Sequence, residues 1–67
     1  MSDYRKMINT LKHEGVLHRT FINDAGEMVI RYNECGEDYT EDIFNGVGKL
    51  VKIIDVQEDS VYIQEAI

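Results

Sequence analysis

Sixty-seven residues carry seven Lys and Arg against thirteen Asp and Glu, a formal net charge of −6. A chain this short buries only about 60% of the surface its unfolded form exposes, so residues 1–67 are read as a single small domain with little material for a catalytic cleft beside its core. Fourteen residues are Ile or Val and only three are Leu, a bias toward branching at Cβ that favours the pleated surface of a sheet.

The single cysteine, Cys35, excludes an intramolecular disulfide and points to a reducing cytoplasm. Residues 1–10 carry Asp3, Arg5 and Lys6 and lack the apolar run of a signal peptide. No segment approaches the roughly 20 apolar residues of a membrane span.

Tyr4, Met7, Ile8 and Leu11 fall at the spacing of one helix face. The spacing predicts a helix near 3–13, capped by Ser2 and ended at Gly15, with Lys12 and His13 in the last turn beside the carbonyl end of the dipole. Two strand-like runs follow, 16–22 and 28–33, separated by Asn23-Asp-Ala-Gly-Glu27. Asn first and Gly fourth suit a type I turn closed by a left-handed glycine. Pairing Asn23 with Glu27 sets Ile22 against Met28, Thr20 against Ile30 and His18 against Tyr32.

Residues 33–45 read as an irregular acidic connector, with Glu34, Glu37, Asp38, Glu41 and Asp42 inside nine positions. Tyr39, Ile43 and Phe44 lie four and five apart, which suggests one short helical turn over 40–45 capped by Thr40. Gly46 and Gly48 then punctuate the chain. The runs 49–56 and 61–66 make a second hairpin around Gln57-Glu-Asp-Ser60. Pairing Val56 with Val61 brings Ile54 to Ile63, Lys52 to Glu65 and Leu50 to Ile67, with complementary charge at Lys52 and Glu65.

The expected fold is therefore α+β and mainly β: an N-terminal helix and two antiparallel hairpins, forming a four-stranded sheet or a small SH3-like barrel. The second hairpin is apolar on both faces, so a homodimer or a closed barrel is expected to cover it.

Catalytic and metal-binding patterns are hard to find. His13, His18 and Cys35 match no zinc spacing, and the acidic connector lacks the alternating ligands of a calcium loop. Cys35 stands beside Glu34 and close to Glu37, neighbours that disfavour a thiolate. Gly46-Val-Gly48-Lys49 lacks the spacing of a phosphate-binding loop. No catalytic residue, metal or cofactor is assigned, and a non-enzymatic role is expected.

Charge layout is more informative. Residues 1–33 hold five Lys and Arg and four Asp and Glu, whereas residues 34–67 hold two and nine. An acidic half disfavours direct contact with nucleic acid and suits docking on a basic protein surface. The expected protein-binding residues are Glu34, Glu37, Asp38, Tyr39, Glu41 and Asp42, with Tyr39 as the aromatic anchor.

The segment Ile43-Phe-Asn-Gly-Val-Gly-Lys-Leu-Val-Lys-Ile-Ile-Asp55 resembles a stretch of small acidic uncharacterised proteins of Gram-positive phages and prophages, in which Phe-Asn-Gly-Lys precedes an alternating strand. Here Val47 and Gly48 interrupt that tetrad. The resemblance implies a mobile-element factor that inhibits or redirects a host protein, and it assigns no functional residue. The competing expectation is an SH3-like accessory module of a nucleic-acid-handling complex, with Arg19, Arg31, Lys49 and Lys52 gathered on one face.

Overall fold

A computed structural model describes residues 1–66. Helix α1 (Asp3–Glu14) precedes five strands, β1 (His18–Ile22), β2 (Met28–Cys35), β3 (Asp38–Phe44), β4 (Leu50–Gln57) and β5 (Ser60–Glu65). They form one antiparallel sheet in the order β1-β2-β3-β4-β5. β1 and β5 are its two edges and do not pair, so the sheet is open. Two expectations are thereby corrected: there are five strands rather than four, and the SH3-like barrel does not close.

The extra strand is β3. The connector expected to be irregular is the β2–β3 hairpin, and the helical turn expected over 40–45 is absent because Asp38–Phe44 is extended. Tyr39 and Ile43 fall on one face of this strand while Phe44 falls on the other, as the two-residue side-chain period requires. Between Tyr32 and Cys35 the β2–β3 register shifts by a bulge. Asn33 there has φ 55°, a left-handed conformation that Asn adopts more readily than most residues.

Both expected hairpins form in the expected register. His18, Thr20 and Ile22 pair with Tyr32, Ile30 and Met28. Val56, Ile54 and Lys52 pair with Val61, Ile63 and Glu65. Leu50 pairs with Phe44, and the expected partner Ile67 lies outside the described residues.

Ser2 caps α1 through its Oγ, which accepts from the Arg5 N–H at 3.1 Å. Gly15 closes the helix at φ 71°. Two further bonds fasten the start of the helix to the β3–β4 turn: Tyr4 N–H donates to the Gly48 carbonyl at 2.9 Å, and Leu50 N–H donates to Asp3 Oδ2 at 3.0 Å. Thus placed, α1 lays Tyr4, Met7, Ile8 and Leu11 over one sheet face, where Leu11, Ile30 and Phe44 form the buried core. The ring of Tyr4 meets that of Phe44 edge to face at 5.3 Å, a geometry favoured by the ring quadrupoles.

The opposite face has no helix, yet Val29 and Ile43 are only 1% and 4% exposed. Register places Phe21, Val29, Ile43 and Lys52 in one row across four strands. In the next row Arg31 stretches its guanidinium between the rings of Phe21, 5.4 Å away, and Tyr39, 4.0 Å away. Long amphipathic side chains thus supply cover where a second layer is missing.

Candidate functional site

The six residues expected to form one acidic binding surface are divided among three places by the β2–β3 hairpin. Tyr39 and Glu41 point to the open face. Arg31 binds Glu41 Oε2 through both Nε, at 2.8 Å, and Nη2, at 2.5 Å, and Glu41 is largely covered. Tyr39 is half-buried under the same guanidinium. Both side chains are thus engaged by Arg31 from the neighbouring strand.

Asp42 points to the helix face and is 5% exposed. Its Oδ1 accepts from the Tyr32 hydroxyl at 3.0 Å. Burial pushes the Asp42 carboxyl above the ordinary range, with the Tyr32 bond opposing that rise. Burial, reinforced by the Asp42 and Asp55 charges, raises the Tyr32 phenol far above its ordinary value. The pair is a polar element of the core, inaccessible to a large partner.

Glu34 is held by a bidentate bond from Arg19, with Nε to Oε1 at 2.8 Å and Nη2 to Oε2 at 2.6 Å. That bond keeps the Glu34 carboxyl below its ordinary value. Both side chains are exposed, so the pair adds little stability.

Glu37 and Asp38 remain. They sit at the β2–β3 turn, and the strand order sets that turn at the same end of the sheet as the β4–β5 turn of Glu58 and Asp59. Cys35, Gly36, Glu37, Asp38 and Glu58 line one depression between the two tips. Segments 35–38 and 57–60 contain four carboxylates and no Lys or Arg. Sequence reasoning misses Glu58 and Asp59 because they look like ordinary turn residues. They become neighbours of Glu37 and Asp38 only once β3 is recognised as a strand, which places the two hairpin tips side by side.

Arg19, Arg31 and Lys52 do share the open face, as the nucleic-acid expectation required, but each has an acid beside it: Glu34, Glu41 and, by register, Glu65. Lys49 lies exposed beyond the β3–β4 turn. Among the described residues no group of His, Cys, Asp and Glu is arranged to hold a metal ion, and no helix is long and apolar enough to cross a membrane. No family model matches the chain, and neither a curated protein nor a solved structure matches it.

Proposed function

We propose that this protein is a non-enzymatic binding module that docks on a basic surface of a host protein through the paired hairpin tips. The observation that supports the reading is the distribution of carboxylates. Glu34 and Glu41 are engaged by arginines and Asp42 is inside the core, whereas Glu37, Asp38, Glu58 and Asp59 project from one end with no cation in either tip segment. Unneutralised charge gathered at one pole steers a basic partner and selects against acidic ones. The Arg31–Tyr39 stack then serves as the rigid support under the first tip rather than as the contact itself.

In this reading the protein works in a reducing cytoplasm, where the exposed Cys35 thiol stays free. A mobile-element factor that inhibits or redirects a host protein is the role in keeping with so small an acidic domain. A nucleic-acid module is less well supported, because the cations of the open face are matched by acids on that same face.

The test is a comparison of partner recovery from bacterial lysate by the native chain and by Glu37→Lys/Asp38→Lys/Glu58→Lys. The reading expects one stoichiometric partner, lost on charge reversal and recovered in a salt-sensitive way by the native protein. It fails if the recovered partner binds both proteins equally, or if the only material retained is nucleic acid.

A further inference from the structure

The two sheet edges are unlike one another. Beside β1, Arg5 and Lys12 of the helix line a depression together with His18. Two such edges brought together would place cations against cations, one of the usual guards against edge pairing. β5 has no proline, no lysine and no bulge, and its single charge is Glu65. Val61, Tyr62 and Ile63 are exposed at 60%, 58% and 61%.

Hydrogen-bond parity shows which groups of β5 are unpaired. Ala66 N–H donates to the Val51 carbonyl at 3.0 Å, so with the β4–β5 register the even-numbered residues of β5 turn their backbone groups toward β4. Residues 61, 63 and 65 turn theirs outward. On the open face these same three positions carry Val61, Ile63 and Glu65.

We propose that β5 pairs with β5 of a second copy, antiparallel about a two-fold axis through Ile63. In that register Ile63 bonds the partner's Ile63 and Val61 bonds the partner's Glu65, so all three outward-facing positions are satisfied. Val61 and Ile63 of both copies then form one apolar stripe on the open face. No charged residue stands opposite a like charge. Shifting the axis by one residue to Tyr62 would set Glu65 against the partner's Asp59 and is disfavoured for that reason.

The surface area agrees. The chain exposes 4890 Å², whereas a compact 7.8 kDa monomer is expected to expose about 4,400 Å². The chain thus exposes about 500 Å² more than expected for its mass, in keeping with an uncovered apolar edge. The closed two-fold arrangement uses up the β5 edge and leaves the guarded β1 edge outward, so assembly stops at the dimer. This inference does not depend on the acidic-tip reading, since the β5 edge and the tips are separate surfaces.

Sedimentation equilibrium over a concentration series is the test, with circular dichroism to confirm that each variant is folded. The native chain is expected to pass from one to two copies and no further. Ile63→Lys, at a position already exposed in the single chain, is expected to move the midpoint upward by about tenfold or more, while Leu17→Lys, at a residue 90% exposed near the other edge, leaves it unchanged. In a Cys35→Ser background, Ile63→Cys is expected to cross-link under oxidised glutathione, its paired Cα atoms standing about 5.5 Å apart, and Val61→Cys is not. A single copy at every concentration, growth beyond two copies, a midpoint indifferent to Ile63→Lys, or preferential cross-linking through Val61→Cys would each overturn the proposal.

Discussion

Asn23 and Asn45 make the same bonds at two different turns. Asn23 Oδ1 accepts from Ala25 N–H at 3.0 Å and Glu27 N–H at 2.9 Å. Asn45 Oδ1 accepts from Val47 N–H at 3.1 Å and Lys49 N–H at 3.0 Å. Each asparagine also receives the N–H of a left-handed glycine three residues on, Gly26 at φ 78° and Gly48 at φ 84°. The turns differ in what they touch. A Cβ at Gly26 would meet nothing within 4 Å, whereas one at Gly48 would stand 2.8 Å from Ser2 Cβ.

Comparing the two alanine variants isolates the attachment of the helix. Gly26→Ala should cost about 1–2 kcal/mol, the strain of a left-handed non-glycine residue. Gly48→Ala should cost clearly more, because the Ser2 cap and the bond from Tyr4 N–H to the Gly48 carbonyl must shift as well. Urea denaturation checks the two costs, and helical ellipticity should fall only for Gly48→Ala. Equal costs would show that the helix does not rest on this turn.

Removal of the Arg31 side chain should cost more than removal of either neighbour it serves. Arg31→Ala leaves Glu41 largely buried without a partner and uncovers Val29 and Ile43, at about 2–4 kcal/mol. Tyr39→Ala keeps the ion pair and loses the stacked ring, at about 1–2 kcal/mol. A double-mutant cycle between the two positions should return a coupling of about 1 kcal/mol. Additive costs would mean that the guanidinium and the ring do not act together.

The Tyr32–Asp42 pair should give the protein an unusual response to pH. Because the folded Asp42 carboxyl is raised, its protonated form is the one the fold prefers. The contribution is complete below the ordinary carboxyl value of about 4 and is lost as pH rises through the raised value. Asp42→Asn keeps an acceptor for the phenol and removes the buried charge. It should therefore raise the melting temperature at pH 7 and change it little at pH 4. Tyr32 behaves alike at the other end of the scale: stability is held below about pH 10 and falls as pH rises through its raised value. Tyr32→Phe strips the carboxylate of its donor and should cost about 1–3 kcal/mol at neutral pH. A stability profile unchanged by Asp42→Asn between pH 4 and 7 would contradict this account.

The same pair explains why β3 is illegible in the sequence. Asp38-Tyr-Thr-Glu-Asp-Ile-Phe44 carries three acids in seven positions, a composition depleted from strands, and the spacing of Tyr39, Ile43 and Phe44 imitates a helical turn. The strand nevertheless occupies the centre of the sheet because β2 supplies the missing partners, Arg31 for Glu41 and Tyr32 for Asp42. Those pairings join residues ten apart across a bulged hairpin and leave no mark in local periodicity. β1, β2, β4 and β5 are legible because alternation and turn chemistry agree there, down to the pairs Ile22–Met28 and Ile54–Ile63. One signal does point to β3. Asn45-Gly-Val-Gly-Lys49 repeats the Asn and Gly spacing of Asn23-Asp-Ala-Gly-Glu27, and a hairpin turn at both requires a strand before Asn45. The residues expected to form the binding surface are close in sequence but distributed over the strand, because alternation sends Glu41 and Asp42 to opposite faces.

The central claim is that a basic partner meets the hairpin-tip carboxylates Glu37, Asp38, Glu58 and Asp59 in preference to Glu41 and Asp42, which Arg31 and the core engage. Titration of the isotope-labelled protein with a short oligolysine peptide, followed by amide chemical shifts at low ionic strength, tests it with a probe of defined charge. The account predicts that the largest shifts map to Glu37, Asp38, Glu58 and Asp59 and fade as salt is added, with Glu41 and Asp42 little changed. Shifts concentrated at Glu41, Asp42 and Arg31, or spread evenly over all acidic residues, would contradict it.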